Sequence, residues 1–377
     1  VPMDVMLGLL AAAPAKALAH RDKYTKRSLL HQAMAGMDHQ CHSPEVVRRL
    51  MALRPAAVME ECVEGYTPLS RCIQFHGMRG SGAQTLAVVK ALLAANPLCA
   101  SKARKSDGSL PVHLAVGTAA PISVIKELLK AHPAGAKKPD KEGYLALHQA
   151  LYSQCEPCVV KALLAVNPAA ALTKDGENMY PLHAALEDGA PLDIVKELVK
   201  ADKKCASLQD DSGDMPLHVA VSHAQTLDVI QTLLHAYPAA AAHAAEMGNM
   251  PLHWAIVGNA THEVVSAVLA AYPAAAAHVN DDNLTPLHLA AERGNAEMLK
   301  EVLAAHPAAA QHYNQEVGLP LHLAACSRNP GAMGALLEAH PEGAARENEE
   351  GALPLHIAVS HRTGMVVVRQ LYLAYPA

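Results

Sequence analysis

The pattern of apolar and polar residues repeats every 34 or 35 residues over most of the chain. In each copy a polar turn rich in Gly, Asp and Asn precedes a short apolar segment, and a second polar turn leads to a longer one. The longer segment carries apolar residues at helical spacing, as in Ile194, Val195, Leu198 and Val199. The pattern therefore predicts a series of helix pairs and an all-α fold.

The short segment opens with Pro-Leu-His or a close variant, and this motif sets the length of the repeat. Proline suits the first turn of a helix because its missing N–H would have no partner there. Ser28–His31 and Thr67–Ser70 hold the same place near the N-terminus, which makes ten copies, and a Gly-rich insertion near residues 76–84 explains one longer step. The motif histidines are His31, His113, His148, His183, His218, His253, His288, His322 and His356.

This order of turn, two helices and Pro-Leu-His motif resembles the ankyrin repeat. The copy that matches most fully is Asn283-Leu284-Thr285-Pro286-Leu287-His288-Leu289-Ala290-Ala291. The resemblance covers essentially the whole chain. It implies a helix-turn-helix solenoid with short β-turn fingers, about ten full repeats and a half repeat at the N-terminus. It also implies that the motif histidines are structural residues that bridge neighbouring repeats.

The chain departs from the ankyrin pattern at the residue before the proline. A threonine stands there only at Thr67 and Thr285, and Ser28 takes its place in the first copy. In ankyrin repeats the hydroxyl of this threonine helps to hold the histidine, so in the other copies the histidine must find other partners. The repeat is also longer than the usual length of about 33 residues. These departures indicate a divergent set of repeats with the same architecture.

We expect residues 1–377 to form a single solenoid domain. Residues 1–20 fit a second helix without its first, and residues 21–377 fit the ten repeats. Apolar side chains such as Leu9 and Val366 do not resemble the polar caps that the ends of a solenoid need. The ends therefore predict either a fragment of a longer chain or a partner that covers them.

Composition excludes several classes of protein. An apolar fraction of 51% argues against disorder. The longest uncharged runs, 229–245 and 264–280, are too rich in Ala, His and Pro for a membrane-spanning helix. The eight cysteines are scattered without regular pairs, which is typical of reduced thiols. We therefore expect an intracellular, cytoplasmic protein with no membrane insertion.

Charge is distributed unevenly along the chain. Residues 1–190 contain 21 Lys and Arg against 16 Asp and Glu, whereas residues 191–377 contain 10 against 20. A solenoid with opposite charges at its two ends can orient a partner along its length. A uniformly basic face for nucleic acid is absent from this distribution, so we do not expect nucleic acid as a partner.

Many acidic residues fall at the tips of the predicted fingers, and they are the candidate partner-binding residues. As a group they predict a basic peptide or protein surface as the partner of the C-terminal half. Lys102, Arg104, Lys105, Lys137 and Lys138 instead favour an acidic segment near the N-terminal half. The acidic candidates are Asp107, Asp140, Glu142, Asp175, Glu177, Asp210, Asp211, Asp214, Asp281, Asp282, Glu349 and Glu350.

Candidate chemistry is sparse. His243, His278 and His312 fall at equivalent positions and suggest a metal or pH-sensing column, but other repeats place Lys or Arg there, which favours a generic polar column. Cys155 and Cys158 form a lone C-x-x-C without the strand that redox motifs follow or a second ligand pair for zinc. No nucleotide-binding or hydrolase motif is present. We expect no catalytic residue, no metal and no cofactor.

These observations favour a non-enzymatic protein–protein interaction scaffold that binds through its concave groove and finger tips. Two alternatives stay open. The chain can be a permanent structural subunit of a large assembly, which its apolar ends would suit. It can also be the regulatory repeat region of a longer enzyme or channel whose catalytic part lies outside these residues.

Overall fold

The computed structural model of the protein describes Ala12 and residues 15–35, 44–79 and 82–375. They form an all-α helix-turn-helix solenoid, as the periodicity predicts. Of the predicted half repeat, residues 1–11 and 13–14 lie outside the described residues. Within the described ranges, every helix is too short or too polar to span a bilayer.

Two helices form each repeat, and the even-numbered helices from α2 onward are the first helices of their pairs. In chain order the helices are α1 (Ala15–Ala19), α2 (Leu29–Ala35), α3 (Pro44–Leu53), α4 (Pro68–Arg79), α5 (Gly82–Ala95), α6 (Pro111–Gly117), α7 (Ile122–Ala131), α8 (Ala146–Tyr152), α9 (Pro157–Val166), α10 (Pro181–Glu187), α11 (Leu192–Ala201), α12 (Pro216–Ser222), α13 (Leu227–Ala236), α14 (Pro251–Val257), α15 (His262–Ala271), α16 (Pro286–Arg293), α17 (Ala296–Ala305), α18 (Pro320–Cys326), α19 (Pro330–Ala339), α20 (Pro354–Ser360) and α21 (Met365–Ala374). The insertion near residues 76–84 falls where α4 and α5 exceed the length of the other helices.

The repeats group into two compact units. The N-terminal unit contains residues 1–185 and 200–202, and the C-terminal unit contains residues 186–199 and 203–377. In the N-terminal unit α2, α4, α6 and α8 pack in sequence, and α3, α5, α7 and α9 form the second layer. In the C-terminal unit α12 to α20 and α13 to α21 form the same two layers. The single domain expected for residues 1–377 stays a prediction.

A proline begins a short 3-10 helix after eight of the second helices that the structure describes. The residue before it has a non-helical backbone, as at His132 with φ −142° and ψ 77°, because the proline ring disfavours the helical conformation there. The turn buries small residues such as Ala240 and Ala241 against the stack. The copy that lacks this proline keeps the turn. These 3-10 helices are Pro55–Met59, Pro97–Ser101, Pro133–Ala136, Pro168–Leu172, Lys203–Ser207, Pro238–Ala242, Pro273–Ala277, Pro307–Gln311 and Pro341–Ala345, and a further one, Glu246–Gly248, lies within a finger.

A motif histidine joins the first helix to the finger that follows it. In His148, Nδ1 accepts the backbone N–H of Leu145 at 3.0 Å, and Nε2 lies 2.9 Å from the carbonyl oxygen of Thr173. Because Nδ1 is an acceptor, the proton belongs to Nε2, which donates it to the carbonyl. The backbone N–H therefore replaces the missing threonine hydroxyl. The same Nδ1 contact is made by His31, His113, His218, His253, His288, His322 and His356.

Burial keeps the buried motif histidines neutral. Desolvation lowers the pKa of His31, His218, His253 and His288 to about 4, and it also lowers the pKa of His113, His148 and His322. A protonated ring would lose the Nδ1 acceptor and leave the backbone N–H without its partner. The stack is therefore built for the neutral tautomer.

Replacing His218 with Gln tests this dependence. We expect the variant to be less stable than the wild type at pH 7.5 by about 1–3 kcal/mol, since it loses two buried hydrogen bonds. The unfolded ring accepts a proton near pH 6.5 and the folded ring only near pH 4, so the wild-type stabilisation declines as the pH falls between these values. The difference in urea midpoint between the two proteins should therefore narrow at pH 5. An equal difference at both pH values would contradict the neutral-histidine account.

Candidate interaction surface on the fingers

Most of the described fingers turn on a side-chain oxygen at their first position. The Oδ1 atom of Asp140 accepts the backbone N–H groups of Glu142 at 3.0 Å and Tyr144 at 2.9 Å. This local bond closes the turn in the manner of an Asx motif. The candidates Asp140, Asp175 and Asp210 thus act within their own fingers. The residues that close fingers in this way are Asp140, Asp175, Asp210, Asn280, Asn314 and Asn348.

Asp175 is the most enclosed of the acidic residues that close a finger. It is 6% exposed, and it accepts the N–H groups of Glu177 and Met179 as well as the hydroxyl of Tyr152 at 2.6 Å. Its carboxylate is therefore bound within the fold and does not face a partner.

The remaining tip carboxylates are exposed and lie one or two residues after the closing residue. They are Glu142, Glu177, Asp211, Asp281, Asp282, Glu349 and Glu350. The structure adds Glu246 and Glu316, which are also exposed and which the sequence reasoning missed. Counting from the closing residue would have found Glu316, because it stands two residues after Asn314, as Glu142 stands after Asp140.

Asp107 and Asp214 are half-buried and differ in their surroundings. The guanidinium of Arg104 pairs with the carboxylate of Asp107, with Nε 2.7 Å from Oδ1. Burial, together with the neighbouring carboxylates of Asp210 and Glu246, raises the pKa of Asp214 to about 6. Asp107 is thus neutralised by the chain itself, and Asp214 loses its charge in mild acid.

Lysine and arginine side chains were predicted to bind an acidic segment of a partner, and some of them already form ion pairs within the chain. The Nζ atoms of Lys102 and Lys105 lie 3.0 Å and 2.7 Å from the carboxylate of Glu61, and Arg104 is held as described. Lys137 and Lys138 are exposed on the surface. The positive charge of these fingers is therefore weaker than residue counting suggests.

Four of the acidic candidates meet around one cavity in the N-terminal unit. The cavity has a volume of about 390 Å³. The rings of Tyr144 and Tyr152 form part of its wall, with their centroids 5.9 Å apart and their planes at 83°. We call it the tyrosine cavity. Its lining residues are Asp107, Ser109, Asp140, Glu142, Tyr144, Gln149, Tyr152 and Glu177.

Both phenols of the tyrosine cavity are held neutral. A hydrogen bond to Glu177 raises the pKa of Tyr144 to about 12. Burial, followed by the hydrogen bond to Asp175, raises the pKa of Tyr152. The cavity therefore presents aromatic rings and carboxylates together over the physiological pH range.

A second acidic depression lies in the C-terminal unit. It measures about 420 Å³ and is formed by two successive fingers. The amide of Asn314 joins these fingers, since its Nδ2 donates to the backbone oxygen of Asp282 at 2.7 Å. The depression is lined by Asp281, Asp282, Asn283, Asn314, Gln315 and Glu316.

The second histidine column lies against the motif histidines. The rings of His218 and His243 meet edge to face at 5.7 Å, and the next two repeats repeat the arrangement. The Nε2 of His278 lies 3.0 Å from the backbone oxygen of Gly248 in a finger. No group of three or more metal-ligating side chains occurs among the residues that the structure describes. These contacts indicate that the second histidine column helps to pack the fingers against the motif histidines.

The lone C-x-x-C spans the turn before α9 and the first turn of that helix. Cys155 is buried and Cys158 is exposed, and both are free thiols. Burial raises the pKa of each thiol, which disfavours the thiolate that redox or metal chemistry needs. No catalytic arrangement follows from this pair.

Comparison with known proteins identifies the type of repeat. The family model "Ankyrin repeats (3 copies)" matches residues 155–244, and the model "Ankyrin repeat" matches residues 282–312. The chain is similar in fold to the crystal structure of the ankyrin repeat domain of Bcl-3, described as a unique member of the IkappaB protein family. That match has a TM-score of 0.51 and 21% identity, and it covers 65% of this chain and 99% of that one. No curated protein matches by sequence.

Some carboxylates close a finger and others are exposed at its tip, and this division can be tested with Asp175 and Glu177. We expect Asp175→Ala to lower the free energy of unfolding by about 2–3 kcal/mol, because two backbone N–H groups and the Tyr152 hydroxyl lose a buried charged acceptor. Glu177→Ala should change it by no more than about 0.5 kcal/mol, as is usual for an exposed site. Urea denaturation followed by circular dichroism measures both. Equal losses in the two variants would refute the division.

Proposed function

This chain is an ankyrin-repeat protein, and we propose that it is a non-enzymatic scaffold whose fingers capture a basic segment of another protein. Ankyrin repeats are generally protein–protein interaction modules. The basic character of the partner is our own inference from the finger carboxylates.

The exposed carboxylates of three successive fingers in the C-terminal unit carry this proposal. They are Asp281, Asp282, Glu316, Glu349 and Glu350. None of the five forms an ion pair within the part of the chain that the structure describes. Their charges are held at the tips of closed turns, so they need little reordering when a partner binds. Such an array attracts cations from a distance and favours rapid association with a basic surface.

Two structural features suit an extended basic segment. The three fingers that carry these carboxylates are each closed by an Asx bond, from Asn280, Asn314 or Asn348, which gives the carboxylates a preformed spacing. The acidic depression between the fingers of Asp282 and Asn314 has room for a side chain of the partner. The contacts would be exposed to solvent, so their strength should depend on ionic strength.

Reversing the charge of Asp281, Asp282 and Glu316 to Lys tests the proposal. We expect the variant to retain less than about a tenth of the native partner in a quantitative pull-down at low salt, since each reversed charge replaces attraction with repulsion. Binding to the wild type should also weaken as salt is added.

The matched control reverses three acidic residues on the second helices and their turns, Glu297, Glu338 and Glu342. This variant carries the same net charge, and it should keep its partner if the fingers are the binding surface. Equal retention by the two variants, or retention of the partner by the finger variant, would refute capture through the fingers.

An exposed apolar surface on α20 and α21 also favours a second candidate function, a permanent structural role in an assembly. The side chains of Val359 and Tyr372 on α20 and α21 are 59% and 69% exposed. In the preceding repeat the residue equivalent to Val359 is Ala325, which is fully buried. The motif residue His356 is likewise exposed, whereas His322 is buried. An assembly that covered this face would gain stability from apolar burial.

Sedimentation of the purified chain distinguishes this second candidate. If the face is an assembly surface, the wild type should associate as its concentration rises, and Val359→Glu with Tyr372→Glu should keep it monomeric. A wild-type chain that is soluble and monomeric at all concentrations would count against a permanent structural role.

A further inference from the structure

The chain itself contains a tyrosine that receives a guanidinium. The Cζ atom of Arg104 lies 5.0 Å from the ring centroid of Tyr66, and the guanidinium also pairs with the carboxylate of Asp107. An aromatic ring and a carboxylate therefore hold one arginine side chain between two successive fingers.

Tyr144 occupies the same place in its own finger as Tyr66. Each stands four residues before its motif position, and each accepts the N–H that closes its finger, from Cys62 in one case and Asp140 in the other, at 3.0 Å. The next finger, however, differs. The position held by Arg104 beside Tyr66 is held by Asp175 beside Tyr144. Each donates its backbone N–H to the carbonyl of the residue four places before the next motif histidine, Ser109 or Met179, and the turn of Arg104 is one residue longer.

The substitution of an acid for the arginine leaves aromatic rings without a cation. In other fingers the chain supplies one, since Lys174 lies 5.1 Å from the ring centroid of Tyr180 and Arg346 lies 5.2 Å from that of Tyr313. Among the described residues, no cation lies over the ring of Tyr144 or Tyr152. The two rings border an open cavity of about 390 Å³ instead.

The charges around the tyrosine cavity favour a cation from outside. Asp140, Glu142 and Glu177 line it, while the fourth carboxylate, Asp107, is already paired with Arg104. The tip cation Lys141, which stands between Asp140 and Glu142 in the sequence, directs its Nζ to the backbone oxygen of Lys105 at 2.6 Å and is not part of the lining. The exposed Glu142 carries acceptors that are free to meet a ligand, and Glu177 keeps further lone pairs beside the hydrogen bond that it accepts from Tyr144.

We propose that the tyrosine cavity is a subsite for one arginine side chain of the partner segment, and this inference rests on the proposed capture of a basic segment. The guanidinium lies against the rings of Tyr144 and Tyr152 and donates to the carboxylates of Glu142 and Glu177. Arginine fits better than lysine because its planar, weakly hydrated fork can stack on a ring and bond a carboxylate at the same time.

The test uses two short glycine–serine peptides labelled with fluorescein, one with arginine at alternating positions and one with lysine at the same positions. Fluorescence anisotropy with the full chain should give a Kd for the arginine peptide that is roughly five- to tenfold lower. Tyr144→Leu with Tyr152→Leu should remove this preference by weakening only the arginine peptide. Tyr144→Phe with Tyr152→Phe should keep it, because the rings remain.

Equal affinity for the two peptides in the wild type would overturn the inference, and so would a preference that survives the leucine changes. Should the double leucine variant fail to fold by circular dichroism, Tyr144→Leu alone and Glu142→Gln with Glu177→Gln carry the same test. The glutamine pair should weaken both peptides.

The outcome separates the subsite from the proposed function. If the Asp281, Asp282 and Glu316 reversal releases the native partner but the peptides show no arginine preference, the scaffold function stands and the subsite is wrong. If the arginine preference is present but the reversal leaves partner binding intact, the subsite stands and capture by the C-terminal fingers is wrong.

Discussion

A neutral imidazole buried at the start of a first helix is the contact on which this fold depends. The ring accepts a backbone N–H of its own repeat at Nδ1, and in five of the repeats that the structure describes its Nε2 meets a carbonyl oxygen in or next to the following finger. Only the Nε2–H tautomer can satisfy both bonds, so the protonation state, the ring orientation and the position of the finger are fixed together. Threonine is dispensable in most copies because the backbone N–H serves the same nitrogen.

The position of the fingers then decides which acidic residues can function. A carboxylate or amide at the first position of the finger is consumed in closing the turn, as Asp140 and Asp175 show. The residues one or two places later, such as Glu142 and Glu177, are left to face solvent. A single local hydrogen-bond pattern thus divides the acidic residues into those that build the surface and those that present charge on it.

Much of the architecture could be predicted from the sequence because the same pattern of apolar, polar and motif residues recurs in every copy of the repeat. The helix pairs and the all-α solenoid follow from local rules. The site was less accessible. Asp175 and Glu177 are two residues apart and both acidic, and only the backbone path shows that one is buried.

Contacts between repeats were also hidden from the sequence. Nothing local in the sequence indicates that Lys102 and Lys105 converge on Glu61, some 40 residues earlier in the chain. The tyrosine cavity depends on side chains from three successive repeats, and its rings are too few to form a pattern. Charge counting therefore assigned a basic character to the N-terminal half, whereas the structure places an acidic, aromatic cavity there.

The central claim is that the fingers capture a basic segment of a partner protein. A photo-crosslinking amino acid placed at residue 282 of the full chain, in cells that express it, tests this most directly when the crosslinked peptides are sequenced by mass spectrometry. The account predicts crosslinks to partner segments rich in Lys and Arg, which disappear when Asp281 and Glu316 are reversed to Lys. Crosslinks to neutral or acidic segments that persist after the reversal would contradict it.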